Sequence, residues 1–252
     1  MLKIRVMPTL LYKDVGLVKG TRFDSSRRIG SLMQAIKVYN MREVDELVFL
    51  DIAATGAGQP PDIALIDDFA DECFMPLTVG GGIRSLEHVH DVLRVGADKV
   101  AVNTAAVEIP DLLGQVARRF GSQCLVVSID AKRAESGGFE VFVHSGRMAT
   151  GLDPVTLARR VEEEGAGEIL LTSIDRDGTL QGYDLTLVRA VTQAVHIPVI
   201  ASGGAGCYED MGRALCEAGA SAVAASAMFQ FTQQTPLGAK HYLRSLGLPV
   251  RC

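Results

Sequence analysis

The stretches Thr78-Val-Gly-Gly-Gly-Ile-Arg and Ala201-Ser-Gly-Gly-Ala-Gly each follow a short apolar run and precede a helical pattern. Glycine lets backbone N–H groups come close to an anion, and the next helix adds the positive end of its dipole, so such a turn suits a phosphate. The same glycines could serve only to turn the chain from strand to helix. A repeat favours phosphate. Gly81-Gly82 recurs 122 residues on as Gly203-Gly204, and Asn103-Thr104 is matched at the same offset by Ala225-Ser226. Glu46-Leu-Val-Phe-Leu and Glu168-Ile-Leu-Leu-Thr share that spacing too. Two phosphate turns in one chain imply a ligand with a phosphate at each end.

Acidic residues at the ends of apolar runs supply a second kind of chemistry. Asp51 and Asp130 each end a run, and Asp177 sits in Ile174-Asp-Arg-Asp-Gly-Thr just after another. A carboxylate there can transfer a proton or hold a substrate hydroxyl. For Asp51 and Asp175 a helix cap or a loop ion pair is an equal reading. Asp130 follows an apolar strand, and burial could raise its pKa toward a useful value.

The elements that must position these groups are eight apolar runs: Ile4–Pro8, Glu46–Ile52, Pro76–Val79, Lys99–Asn103, Leu125–Asp130, Glu168–Ser173, Ile197–Ser202 and Ala222–Ser226. They lack period-two alternation, which suits strands buried on both faces. Amphipathic helical patterns such as Ser85–Val95, Pro154–Glu164 and Glu209–Glu217 lie between them. Strands alternating with helices imply right-handed crossovers and a parallel sheet, and eight units in 252 residues fit a closed (β/α)8 TIM barrel. The expectation is one domain over residues 1–252, made of halves at about 1–122 and 123–252, with the glycine turns and strand-end acids on the C-terminal face.

Composition limits the partners. Hydrophobic residues at 48% with 22% charged allow a large core, and a net charge of −5 gives no sign of nucleic-acid or membrane binding. With no long apolar stretch and no leader-like start, a cytoplasmic location is expected. The five cysteines (Cys73, Cys124, Cys207, Cys216 and Cys252) form no CxxC pair, and His88 and His90 are too closely spaced to share a helix face. No metal and no cofactor are expected.

The stretches DELVFLDI (45–52), VGGGIRS (79–85), GADKVAVNTAAV (96–107), VVSIDAKR (126–133), GAGEILLTSIDRDGT (165–179) and IPVIASGGAG (197–206) resemble the cyclase subunit of imidazole glycerol phosphate synthase over nearly the whole chain. In that family of lyases, ammonia from a glutaminase partner passes through the barrel. It reacts at the far mouth with a doubly phosphorylated aminoimidazole precursor, giving imidazole glycerol phosphate and an aminoimidazole carboxamide ribotide. The resemblance implies that Gly82, Asn103 and Thr104 hold one phosphate, and that Asp177, Gly178, Gly204, Ala225 and Ser226 surround the other. It places Lys19 on a mobile loop after the first strand and Asp130 as general acid, while Asp51 is a candidate substrate contact from its place at the end of an apolar run. Arg5, Glu46, Lys99 and Glu168 match a charged ring gating the barrel base, and Asp98 a glutaminase-docking position.

One position departs from the family. Its first strand ends in Cys-Leu-Asp-Val-Lys, whose aspartate is the second catalytic carboxylate. This chain has Pro8-Thr-Leu-Leu-Tyr-Lys, with Leu11 in the aspartate's place. Losing a positioned acid or base costs about 10²–10⁴ in rate. Asp14 lies three positions on and would need an altered loop to substitute. Leu10-Leu11, Gly16-Leu-Val-Lys, Ala35-Ile-Lys-Val-Tyr-Asn, Glu43-Val-Asp-Glu-Leu and Phe74-Met-Pro-Leu resemble a branch encoded with surface-polysaccharide (lipopolysaccharide) enzymes. Those paralogues act with their own glutaminase and a sugar amidotransferase to turn an acetamido group into an acetamidino group. Three alternatives stand beside that reading. They are a histidine-pathway cyclase tolerating Leu11, a sugar-phosphate isomerase of the sister family (which also uses the missing aspartate), and a non-catalytic subunit that only activates glutaminase.

Overall fold

The computed structural model describes residues 3–251 other than Val15, Glu43 and Ser136, so Glu43 of the branch-like segment and Cys252 lie outside the described residues. In chain order the strands are β1 (Arg5–Lys13), β2 (Gly16–Thr21), β3 (Asp24–Gly30), β4 (Leu47–Asp51), β5 (Leu77–Gly80), β6 (Lys99–Val102), β7 (Leu125–Arg133), β8 (Phe139–Val143), β9 (Met148–Ala149), β10 (Glu168–Ser173), β11 (Val199–Ser202) and β12 (Ala222–Ala225). The helices are α1 (Leu32–Met41), α2 (Ile63–Ala70), α3 (Leu86–Arg94), α4 (Thr104–Glu108), α5 (Leu112–Phe120), α6 (Pro154–Glu163), α7 (Leu185–Thr192), α8 (Tyr208–Cys216), α9 (Ala227–Phe231) and α10 (Pro236–Ser245). Several starts are set by side-chain caps: Ser85 accepts from His88 N–H, Asp153 from Thr156 N–H just before Pro154, and Thr235 from Gly238 N–H before its own proline.

All eight apolar runs are barrel strands. β1, β4, β5, β6, β7, β10, β11 and β12 are parallel neighbours in that order, and β12 returns to β1, with Ala222 opposite Arg5, to close the ring. Two strands outrun their sequence bounds. β1 passes Pro8 to reach Lys13 and β7 passes Asp130 to reach Arg133, because each continues into an antiparallel arm, β2–β3 and β8–β9 respectively. Asp130 is therefore inside its strand, and Lys19 belongs to a strand of the first arm rather than to a loop.

Strand register shows how the halves correspond. Leu47 pairs with Leu77 and Ile169 with Val199, which keeps the 122-residue offset, and both glycine turns repeat it. Gly81 (φ 114°) and Gly203 (φ 84°) are left-handed, and a side chain at either would strike the carbonyl of Asp51 or Ser173, which are themselves 122 apart. In the fourth unit the offset grows by one. Thr78 pairs with Lys99 but Ile200 with Ala222, so Asn103 corresponds to Ser226 and not, as the sequence offset has it, to Ala225. Asn103 (φ −115°, ψ −86°) and Ser226 (φ −123°, ψ −72°) occupy the same cap of a short helix. In the first unit Leu11 pairs with Leu50 while Asp130 pairs with Thr172. Since Leu50 and Thr172 correspond, the half-turn of the barrel superimposes Leu11 on Asp130.

Alternate residues of each barrel strand face outward and inward. Val6 and Leu10 of β1 join the main core under the helices, with Phe49, Phe69, Val127 and Leu113, all buried. Met7 instead joins an inner cluster with Val48, Ala101, Val126, Leu170 and Ile200, which fills the barrel. Ala222 and Ala224 make room for the larger members, so the interior is a packed plug rather than an open pore. Among the described residues no helix is long and apolar enough to cross a membrane.

Candidate functional site at the barrel mouth

Strand β1 carries a section through the molecule. Its inward residues are, from base to mouth, Arg5 in the charged ring, Met7 in the apolar plug, and Thr9 and Leu11 on the wall of a cavity of about 250 Å³ at the C-terminal end. That cavity brings together Lys19, Asp51, Gly82, Asn103, Thr104, Asp130, Asp177, Gly178, Gly204, Ala225 and Ser226, with Leu11 among them. All of these are residues that the sequence singles out, and the strand ends bring them to one cavity. Asp14 does not fill the gap left at Leu11: it is exposed on the turn after β1, with φ 56°, and does not line the cavity.

Asp130 is 8% exposed. Asn103 Nδ2 donates to it at 3.2 Å and Ser128 Oγ at 3.5 Å. Burial, reinforced by the charge of Asp177, pushes its carboxyl up to about 7, against the pull of hydrogen bonds from Ser128 and Thr172. A proton held near neutral pH is what a general acid needs. It also has a stability sign. An unfolded aspartate ionises near 3.8, so Asp130 favours folding fully below that value and loses the contribution as pH rises through about 7. Asp130→Asn, which stays neutral, should exceed the parent in stability by on the order of 2–4 kcal/mol at about pH 8 and by little at about pH 4. Urea midpoints at the two pH values check this, and equal gains at both would show that Asp130 ionises normally.

Other side chains are committed differently from what the sequence suggests. The Asp51 carboxylate accepts from the N–H groups of Ala53 and Ala54, so it shapes its own loop. Asp177 binds Lys19 Nζ through both oxygens, at 2.9 and 3.2 Å, and its carbonyl accepts from Arg22 N–H. Lys19, 3% exposed at its side chain, thereby fastens the β2–β3 arm over the mouth. The Gly82 N–H reaches Thr55 Oγ1 at 3.3 Å, and Thr104 Oγ1 accepts from His144 N–H. Sequence reasoning missed Thr9, Ser128, Thr172, and the His144–Glu108 pair at 2.7 Å, all on the cavity wall. Thr9 and Ser128 stand two residues before Leu11 and Asp130, so strand alternation alone would have found them.

At the opposite end the four expected ring residues meet. Arg5 binds Glu46 at 2.7 Å and Glu168 at 3.0 Å, and Lys99 binds Glu46 at 3.0 Å and Glu168 at 3.2 Å. Thr78 Oγ1 donates a further bond to Glu46 at 2.7 Å. Alternating charges of two cations and two anions cancel, which makes such burial tolerable. Asp98, exposed beside Lys99, accepts from Leu77 N–H at 2.8 Å.

A closed barrel made of two like halves, with paired glycine turns at one mouth and a neutral ring of ion pairs at the base, defines a half-barrel-repeat (β/α)8 protein. The chain belongs to the family described as histidine biosynthesis protein, whose model matches residues 5–234 of the 252. This agrees with the resemblance to the imidazole glycerol phosphate synthase cyclase subunit at the level of the family.

Proposed function

We propose that this barrel is the synthase subunit of a glutaminase-coupled complex of the acetamidino branch. In this reading a glutaminase docks around Asp98 at the N-terminal face, and ammonia crosses the Arg5–Glu46–Lys99–Glu168 ring. It then passes the apolar plug and is handed on at the mouth to a sugar amidotransferase. A neutral, closed ring suits passage of an uncharged molecule, and the plug behind it disfavours ions. The observation that carries the reading is Leu11 at the half-turn counterpart of Asp130: ring closure with two carboxyl groups has lost one of them.

The test uses purified protein with ammonium chloride and the ribulosyl bisphosphate precursor. No turnover at ordinary enzyme rates of about 1–10³ per second is expected, together with stimulation of glutamine hydrolysis when the partner glutaminase is added. Ordinary turnover would instead support a histidine-pathway cyclase. That second reading draws on the two glycine turns and on an Asp130 poised near neutral pH.

A further inference from the structure

We propose that a second hollow, walled by Arg133, Arg176 and Arg213 on the outer side of the loop between β10 and α7, binds a phosphoryl group, free or carried on a small molecule. It is separate from the mouth and does not rest on the ammonia-delivery reading.

The hollow holds about 220 Å³ and lies where the root of the second arm, the β10–α7 loop and the first turn of α8 meet. No residue lines both it and the mouth cavity. The two stand back to back, since Gly182 on this side donates its N–H to the carbonyl of Gly204 on the other, at 2.8 Å. Five charged side chains line the hollow, three guanidinium groups against two carboxylates. Both carboxylates are committed. Asp184 accepts from Arg133 Nη2 at 2.8 Å and from Leu187 N–H, and Asp210 accepts from the N–H groups of Gly206 and Cys207.

The guanidinium groups keep most of their donors, of which each has five. Arg176, half-buried, donates once, to the Gln181 carbonyl at 3.3 Å, and forms no ion pair among the described residues. Arg213 meets Glu217 through Nε at 3.2 Å. The N–H groups of Leu185 and Thr186, first in α7 and on the same wall, find no acceptor among the described residues. Three like charges around one hollow repel one another, and a dianion between them reverses that. A phosphoryl group offers three oxygens to the planar forks of arginine.

The barrel repeat does not account for these arginines. Helices α2 and α7 are capped by Asp62 and Asp184, and α3 and α8 by Ser85 and Cys207, so the 122-residue offset runs through both stretches. At that offset Ala54 stands for Arg176 and Asp91 for Arg213. The half-turn that sets Leu11 on Asp130 likewise sets Asp14 against Arg133. Scaffold needs alone are met in the first half with one neutral and two acidic residues. The positive hollow also runs against a net charge of −5 for the chain.

The test titrates the nitrogen-labelled full chain with inorganic phosphate, with glucose 1-phosphate and with sodium chloride at matched ionic strength, following backbone amide signals by NMR. Leu185 and Thr186 report the hollow, and Gly82 and Ser226 report the mouth. Saturable shifts at Leu185 and Thr186 are expected with a phosphate but not with chloride. Arg213→Asp, at a side chain 58% exposed, and Arg176→Ala each install the residue of the other half. Each should weaken saturation at Leu185 and Thr186 by about tenfold or more, the loss of a charge-assisted contact, and leave the response of Gly82 and Ser226 as in the parent. Equal midpoints for the two phosphates would assign the free ion, and a tighter one for the sugar ester a carried phosphoryl group. Absence of a saturable shift would overturn the site, as would an equal shift with chloride or one that persists unchanged in both variants. If Arg176→Ala does not fold, Arg213→Asp decides alone.

Discussion

Leu11→Asp should raise ammonium-dependent ring closure of the ribulosyl bisphosphate precursor by about 10²–10⁴ over the parent chain. The reason is positional. Leu11 stands on the cavity wall in the register that places Asp130 across the barrel, Leu11 beside Leu50 and Asp130 beside Thr172. A carboxyl introduced there faces a partner that already holds its proton to about 7, so one acid and one base coexist near neutral pH, and their mutual repulsion drives the two titrations further apart. Product formation from purified variant, ammonium chloride and precursor checks it. A variant as inactive as the parent would mean that the mouth has lost more than one carboxyl, and would favour the alternative of a non-catalytic subunit.

Lys240→Met should destabilise the fold by about 3–5 kcal/mol, read from urea unfolding. Lys240 of α10 binds Asp45 at 2.8 Å, with side chains 7% and 1% exposed. Removing the cation leaves a buried carboxylate, whereas Asp45→Asn combined with Lys240→Met removes both charges and should recover most of the loss. The pair bears on function through its neighbours. The other Asp45 oxygen accepts from Val6 N–H at 2.9 Å, next to Arg5, while Glu46, the residue after Asp45, turns inward to the ring. Helix α10 therefore anchors the base of β1 from outside. If the double substitution is as unstable as the single one, the stabilisation lies in packing of the lysine stem instead of in charge.

The barrel was legible because both-face burial writes itself as unbroken apolar runs, and capping residues such as Ser85 and Asp153 mark helix starts within one residue. The arms were not. The two-residue turn between β2 and β3 places Arg22 (φ 56°) and Phe23 (φ 62°) in left-handed conformations that sequence signals assign to glycine or asparagine. His144 and Ser145, at 52° and 58°, hide the second arm in the same way. The glycine turns and Asn103-Thr104 with Ala225-Ser226 were readable from the repeat, the acids from their places at the ends of apolar runs and Lys19 only from the resemblance, but the partners of none of them were. That Lys19 holds Asp177 depends on the arm folding back over the mouth, and that Asn103 donates to Ser128 and Asp130 depends on β6 and β7 lying side by side. The one-residue slip of the fourth unit also escaped notice, since small residues at 225 and 226 fit either alignment.

The two arms rise from the first and fifth barrel strands, and the glycine turns follow the third and seventh, a quarter of the circle away. The entrance is thus a trough with two tall banks and two low ends, not a round bowl. A ligand that spans the two glycine turns therefore lies across the line that joins the arms. On the ammonia-delivery proposal, a bulky branched acceptor would not settle between the arms, and the nitrogen would be collected by a protein that reaches down between them.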